Sequence, residues 1–193
     1  MMQKVLLDEN KVDLILHRLS CQLIERHTDF SNTVLVGLQP RGVYLLDRLV
    51  TTLTRFYKVP SIASGKMDIT FFRDDFRRND KPLTANTSQM NVPIEGKSVV
   101  LIDDVLYTGR SIRAALTAID TYGRPESIEL LVLIDRRFSR HLPIQPDYLG
   151  AQIDAVEQEQ VNVIWADEQN SSNVVFLEKK ETQNNVKEAS WNH

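Results

Sequence analysis

The apolar run Ser98–Ile102 is followed at once by two carboxylates, Asp103 and Asp104. Val99, Val100, Leu101 and Ile102 are consecutive rather than alternating apolar residues, so a strand built from them is buried on both faces. Two adjacent ionisable groups cannot continue into that interior without partners. The strand is therefore expected to end there, with Asp103 and Asp104 where solvent or a ligand meets them. A short loop then leads into Ser111–Tyr122, where Ile112, Ala115, Leu116 and Ile119 form one apolar face and Gly123 stops the helix. A doubly buried strand feeding a helix is the unit of an α/β fold.

The rest of the chain repeats this unit. Asp8–His27 carries Val12, Ile15, Leu16, Leu19 and Leu23 at helical spacing. Thr33–Leu38 reads as a buried strand and Gln39–Gly42 as a tight loop. A second helix runs through Leu45, Leu46, Leu49, Leu53 and Phe56. Strands are predicted at Ile62–Phe72 and Ile128–Ile134, with weaker ones at Val161–Trp165 and Val174–Leu177. The alternation predicts a mainly parallel sheet flanked by helices. Such sheets bind ligands at the carboxyl ends of their strands, which singles out the loops after Leu38, Phe72, Ile102 and Ile134. Residues 73–93 are polar, and long loops of this kind are often binding loops or lids, although composition alone fits a plain insertion equally well. One domain is expected over residues 1–177, followed by a polar tail over 178–193.

With 193 residues, 42 % hydrophobic and 25 % charged, the chain can bury a core without staples. Its net charge of −3 excludes a globally basic nucleic-acid binder. An anionic ligand must then be met by local cations, backbone N–H donors or a metal. Cys21 is the single cysteine, so no intramolecular disulfide can form. The first ten residues hold Lys4, Asp8 and Glu9 and lack the apolar segment of a secretory signal. No run of about 18 apolar residues occurs. A cytoplasmic protein without a membrane partner is expected.

The segment after Ile102 carries the chemistry. Carboxylates at a strand end accept hydrogen bonds from vicinal hydroxyls, as on a ribose, and help to hold a metal through water. Gly109 lets the backbone approach a ligand closely. Successive N–H groups at a helix start form an anion-binding concavity, and the hydroxyls of Thr108 and Ser111 add donors. The combination suits a ribose 5-phosphate. Either half alone reads as an ordinary capping turn; the two in one strand–loop–helix context point to a site. Competing nucleotide motifs, Gly-x4-Gly-Lys-Ser/Thr and Gly-x-Gly-x-x-Gly, are absent. Gln39–Gly42 is a weaker candidate, in which Arg41 and backbone N–H groups suit a pyrophosphate and a simple turn is the plain alternative.

Val100–Ser111 (Val-Leu-Ile-Asp-Asp-Val-Leu-Tyr-Thr-Gly-Arg-Ser) resembles the PRPP signature of type I phosphoribosyltransferases. Within them it resembles the bifunctional pyrimidine operon regulator/uracil phosphoribosyltransferases. Arg18–Arg26, Val36–Gly42, Asp68–Asp75, Gly123–Pro125, Asp135-Arg136 and His141–Pro143 resemble that family in the same order, from about residue 4 to residue 177. The resemblance implies the type I phosphoribosyltransferase fold, with a small hood over residues 135–177 and a flexible lid at 73–93. It implies the reaction of uracil with PRPP, in the presence of Mg2+, to give UMP and pyrophosphate. Asp103 and Asp104 would hold the ribose hydroxyls, touching a metal through water if at all. Thr108, Gly109, Arg110 and Ser111 would cradle the 5-phosphate, and Arg41 and Gly42 would meet the pyrophosphate with Arg73 near the leaving group. Asp135, Arg136 and Arg137 would belong to the base hood. A homo-oligomer is the family's common state. The family pattern also holds an often cis peptide in the pyrophosphate loop, and Gln39–Pro40 is the candidate for it, because a cis bond is far cheaper before Pro; the sequence leaves cis or trans open. No catalytic histidine is assigned; His17, His27 and His141 read as packing or surface residues.

The family's regulators bind the leader RNA of a pyrimidine operon when UMP is present. Arg18 and Arg26 match their RNA face. Cys21, Gln145 and Ala151 stand where His, Arg and Lys are expected, and each missing cation weakens phosphate binding. Three other readings follow: an RNA-binding pyrimidine regulator with weak catalysis, a phosphoribosyltransferase for another base, and a PRPP-sensing domain without chemistry.

Overall fold

The computed structural model describes residues 3–74, 85–155, 159–166 and 173–179. Its elements in chain order are β1 (Gln3–Leu7), α1 (Glu9–His27), β2 (Thr33–Leu38), α2 (Gly42–Arg55), β3 (Ala63–Met67), a 3-10 turn at Thr70–Phe72, β4 (Ser98–Leu106), α3 (Arg110–Ile119), β5 (Ser127–Arg137), β6 (Tyr148–Asp154), β7 (Glu159–Ile164) and β8 (Val174–Lys179). Five of these strands form an all-parallel sheet in the order β3-β2-β4-β5-β6. The other three form a small antiparallel sheet, β1-β8-β7. Among the described residues, no helix is long and apolar enough to cross a membrane.

The continuous apolar runs explain the parallel sheet. Alternate residues of each central strand feed two cores: Leu35, Val100 and Ile102 pack with α1, α2 and the small sheet, and Val36, Val99 and Leu101 pack with α3. Helix α1 starts where the Asp8 side chain accepts from the Lys11 N–H at 3.0 Å, and its buried face is the predicted Val12–Leu23 stripe, with Ile15 at its edge.

Four local differences from expectation have physical causes. Strand β4 does not end at Ile102 but runs to Leu106, because β5 is long enough to pair with Asp103, Val105 and Leu106. Strand β3 stops at Met67 rather than Phe72. The Asp68 carboxylate accepts from the Thr70 N–H at 2.6 Å and turns the chain back. Strand β6 is not among the strands expected from the sequence; its exposed residues Gln152 and Asp154 interrupt the apolar pattern. Gly150 is needed because a Cβ there would lie 2.3 Å from the Leu133 carbonyl oxygen on the neighbouring strand. Strand β1, half-exposed at the rim of the small sheet, was also missed.

The expected tail shortens, because β8 continues to Lys179 and pairs Glu178 with Gln3 and Gln160. Tail residues 180–193 and lid residues 75–84 lie outside the described residues. The stems of the lid segment meet: Lys66 and Gln89 exchange backbone hydrogen bonds of 3.0 and 2.7 Å. Asp68 also joins the stems, its N–H donating to Ser88 Oγ at 2.9 Å and its carboxylate accepting from the Asn86 N–H.

Candidate active site

Two helix N-termini converge on the carboxyl end of β4. Helix α2 begins shortly after the Gln39–Pro40 peptide, which is cis. Gly42 sits against β4: a Cβ there would meet the Ile102 carbonyl oxygen at 2.3 Å. It is buried and brings the helix start close to the strand, while the cleft wall at this point is made by Gln39, Pro40 and Arg41. Helix α3 begins at Gly109, whose φ of 89° is left-handed, a conformation glycine adopts without steric cost.

Between these helix ends lie two hollows of about 190 and 460 Å³. They share Arg73, Asp103, Val105, Tyr107 and Ser111 and so form one cleft. The smaller lobe is walled by Thr108, Gly109, Arg110 and Ser111. The larger lobe adds Arg41, Asp104, Ile69 and Leu38 from the parallel sheet and its loops, and Arg136, Gln160 and Val161 from the hood side. The dimensions and polarity suit a sugar phosphate in the smaller lobe and a planar group beside the larger.

The acid pair is the electrostatic centre. The Asp104 N–H donates to Asp103 Oδ1 at 2.9 Å. Burial, and then the neighbouring Asp104 charge, push the Asp103 carboxyl well above the usual carboxylate range. Burial also raises Asp104, while Arg41 and the Val105 N–H pull it down. Asp104 Oδ2 is buried and has no hydrogen-bond partner within the protein. An orphaned buried oxygen of this kind is costly unless a ligand completes it.

Among the described residues, no group of three or more His, Cys, Asp or Glu could hold a metal ion. The pair of carboxylates nevertheless fits Mg2+ of the kind that keeps several waters and arrives on substrate phosphates, since such a site needs one or two carboxylates rather than a cage.

Among the expected hood residues, Arg136 lies on the cleft. Its guanidinium stacks 4.0 Å from the Tyr107 ring centroid and donates to the Glu159 carbonyl on β7 at 2.9 Å, so it joins the loop after β4 to the small sheet. Asp135 and Arg137 alternate to the other side of β5 and line a separate hollow. There Asp135 pairs with Arg140, and Arg137 pairs bidentately with Asp154 at 2.5 and 2.6 Å. Arg110 walls the smaller lobe, but its guanidinium makes bonds of 3.0 and 2.7 Å to Asp74, which also receives Arg113. These bonds, the one from Arg110 foremost, hold the Asp74 carboxyl below its ordinary value. Arg18 donates to the Gly150 carbonyl, and Arg26 lies 3.2 Å from Glu129.

The histidines read as packing or surface residues occupy such positions. The His27 side chain is only 5 % exposed, with Thr33 Oγ1 and Tyr148 OH each 3.0 Å from its ring nitrogens. Burial lowers its pKa despite the nearby Glu129. His17 packs on Phe56 and Tyr57, and His141 is exposed.

Several site residues were not singled out in the sequence. Tyr107 lay inside the motif, and its aromatic ring next to a small-residue loop was the available signal. Asp68 and Asp74 stood in the recognised Asp68–Asp75 segment without a role. Gln160 and Val161 come from a weak strand far along the chain, and nothing local marks them.

Residues 2–167 match the phosphoribosyl transferase domain. A "Bifunctional protein PyrR" from Desulfosudis oleivorans is 40 % identical over 169 residues, covering 88 % of this chain and 93 % of that protein. Another from Listeria monocytogenes is 41 % identical over 182 residues, covering 93 % and 98 %. Among solved structures, the hypoxanthine phosphoribosyltransferase of Trypanosoma cruzi superposes with a TM-score of 0.67 at 18 % identity, covering 92 % of this chain and 97 % of that one. This likeness concerns the fold.

Proposed function

The chain belongs to the phosphoribosyl transferase family, and we propose that it joins uracil to the ribose C1 of PRPP, releasing pyrophosphate and forming UMP. The observation that carries this reading is the acid pair Asp103–Asp104, with Asp104 Oδ2 buried and unpartnered, in a cleft flanked by two helix N-termini. In this reading Asp103 and Asp104 accept the ribose hydroxyls. The start of α3, with Thr108, Gly109 and Ser111, binds the 5-phosphate, and Arg110 flanks it while pairing with Asp74. Arg41 and Arg73 face the pyrophosphate. Arg136 and Tyr107 form the wall beside the base.

Breaking the C1–pyrophosphate bond leaves positive charge on the ribose and negative charge on the leaving group. The two arginines oppose the second, and the carboxylates favour the first. Mg2+ bound to the diphosphate supplies further neutralisation of the leaving oxygens. A lid over the cleft, the role that the resemblance implies for residues 73–93, would keep out water that hydrolyses PRPP. The PyrR relatives are 40–41 % identical over most of their length, which supports uracil over a purine. The purine enzymes resemble the chain in fold at much lower identity.

The test is UMP formation from uracil, PRPP and Mg2+, with hypoxanthine, guanine and orotate as parallel acceptors. Turnover with uracil alone is expected; turnover with a purine alone would overturn the base assignment.

The word "bifunctional" in the relatives' names supports a second role, UMP-dependent binding of pyrimidine operon leader RNA. Arg26, whose side chain is 70 % exposed, and Arg18 on the same helix are its proposed contacts. A UMP-dependent shift of leader RNA that is lost in Arg26→Gln is the expected result; no shift at any UMP concentration would leave the enzyme reading alone. The cytoplasm and a homo-oligomeric state belong to the same proposal, the latter checked by sedimentation.

A further inference from the structure

The segment after β5 folds against the back of the phosphate loop. Arg140 there makes two bonds with one guanidinium: Nη1 donates to the Tyr107 carbonyl and Nη2 to the Asp135 carboxylate. Both side chains are largely buried, 22 and 9 % exposed. Asp135 is fixed in turn, lying opposite Leu106 in the β4–β5 ladder and receiving the Gln152 side chain at 3.4 Å. One residue further along, the His141 N–H donates to the Thr108 carbonyl at 3.0 Å. Leu142 and Ile144 then pack where a Cβ of Gly109 would be, at 3.4 and 3.3 Å. Three successive loop residues are thus held from behind.

The direction of these bonds matters. In a trans peptide the C=O and the N–H point opposite ways. With the Tyr107 and Thr108 carbonyls turned toward Arg140 and His141, the N–H groups of Thr108 and Gly109 face away from the supporting segment. Carbonyl oxygens repel a phosphate and N–H groups bind it, so the orientation of these two peptides decides whether the loop attracts an anion. A loop fixed before the ligand arrives loses less on binding. Arg140 lines the hollow on the far side of the loop rather than the cleft.

We propose that Arg140, held by Asp135, is a positioning residue that locks the Tyr107–Thr108 peptide so that the loop presents N–H donors to the 5-phosphate. This inference rests on the phosphate-binding reading of that loop. It gives Asp135 a role behind the loop in place of contact with the base.

The experiment measures ribose 5-phosphate binding by calorimetry, and steady-state kinetics with PRPP and uracil, in wild type, Arg140→Gln, Arg140→Lys, Asp135→Asn and the Arg140→Gln/Asp135→Asn pair. Arg140→Gln is expected to weaken ribose 5-phosphate about tenfold, the effect of losing one charge-assisted hydrogen bond. The KM for PRPP should rise in parallel while the KM for uracil stays put. Arg140→Lys should fall between wild type and Gln, since an ammonium cannot reproduce the planar fork. Asp135→Asn should act in the same direction, and the double variant should be no worse than Arg140→Gln alone. The salt dependence of ribose 5-phosphate binding should be unchanged.

Wild-type affinity in Arg140→Gln, additive effects in the double variant, or a flattened salt dependence (the mark of an arginine that touches the phosphate) would each overturn the proposal. If Arg140→Gln does not fold, Arg140→Lys and Asp135→Asn carry the test with the same expectations. Failure of the wild type to bind ribose 5-phosphate would remove the phosphate-binding reading, and this inference with it. Normal wild-type binding with a silent Arg140→Gln would remove the inference alone.

Discussion

The two sheets of this molecule solve different problems. In the parallel sheet, Val34, Leu35 and Val36 on β2 and Val99–Ile102 on β4 are completely buried in succession. Both faces are covered, and the strand ends project fixed loops. In the small sheet, Val161 and Val163 alternate with half-exposed Asn162 and Ile164, and Val175 is buried between half-exposed neighbours. Only one face is covered. The half of the cleft proposed to take phosphate and ribose stands on the first sheet, and the wall opposite draws Gln160 and Val161 from the second. The lesson is that rigidity is placed where charge must be met by fixed dipoles, while the wall proposed to lie beside the base rests on a thinner layer, tied on by Arg136 to Glu159.

If that contrast is sound, truncations in the two sheets should part company. Leu101→Ala, in the doubly covered sheet, should cost about 2–5 kcal/mol of stability by denaturant unfolding. Val175→Ala in the small sheet removes less buried surface and should cost about 1–2 kcal/mol. Equal losses at the two positions would erase the distinction.

Asp104→Asn sharpens the functional side of the comparison. It should lower kcat/KM about 100-fold, the scale of a lost charged contact in a desolvated site. The same change should stabilise the ligand-free protein at neutral pH, because burial raises the Asp104 carboxyl in the folded state. The sign follows from linkage: the folded state holds the proton more tightly, so stability falls as pH rises from the unfolded carboxylate value through the raised folded one. The stabilisation should therefore be present at pH 7 and absent below about pH 3, near and below the unfolded carboxylate value. A melting-temperature series across pH checks it, and a variant that is less stable at pH 7 would refute the account.

In the wild type, the acid limb of the kcat/KM profile should lie above the ordinary carboxylate range, since Asp103 is raised too. A limb at or below that range would mean that the pair is not desolvated in the working enzyme.

Arg48→Met should give the smallest effect. The Arg48 guanidinium lies 4.6 Å from the Trp165 ring centroid and donates to Asn173 Oδ1 and the Ala166 carbonyl, pinning the end of β7 and the start of β8 to α2. Its loss should cost about 1 kcal/mol and raise the KM for the base more than that for PRPP. The reverse split would show that the small sheet does not shape the base side.

The parts that could be read in advance share a property: their signal is local. Val99–Ile102 with Asp103–Asp104 is legible because burial on both faces needs a continuous apolar run, and a small-residue loop before a helix announces anion-binding geometry. The helices α1 and α3 announce themselves by one-face periodicity. Strand β6 escaped because a strand at the edge of a sheet needs few apolar residues. The end of β3 was misjudged because Asp68, not the apolar pattern through Phe72, decides where the chain folds back.

The sequence by itself determined an α/β chain with a ribose-phosphate motif at the end of a buried strand, because apolar periodicity and loop chemistry are written within a dozen residues. Tertiary structure alone decided that Arg136 faces the cleft while Asp135 and Arg137 turn away, that Gly42 serves packing against Ile102, and that Arg140 reaches the back of the phosphate loop. Each of these depends on which strand lies beside which, and the last two on contacts between residues 60 and 33 positions apart in the chain.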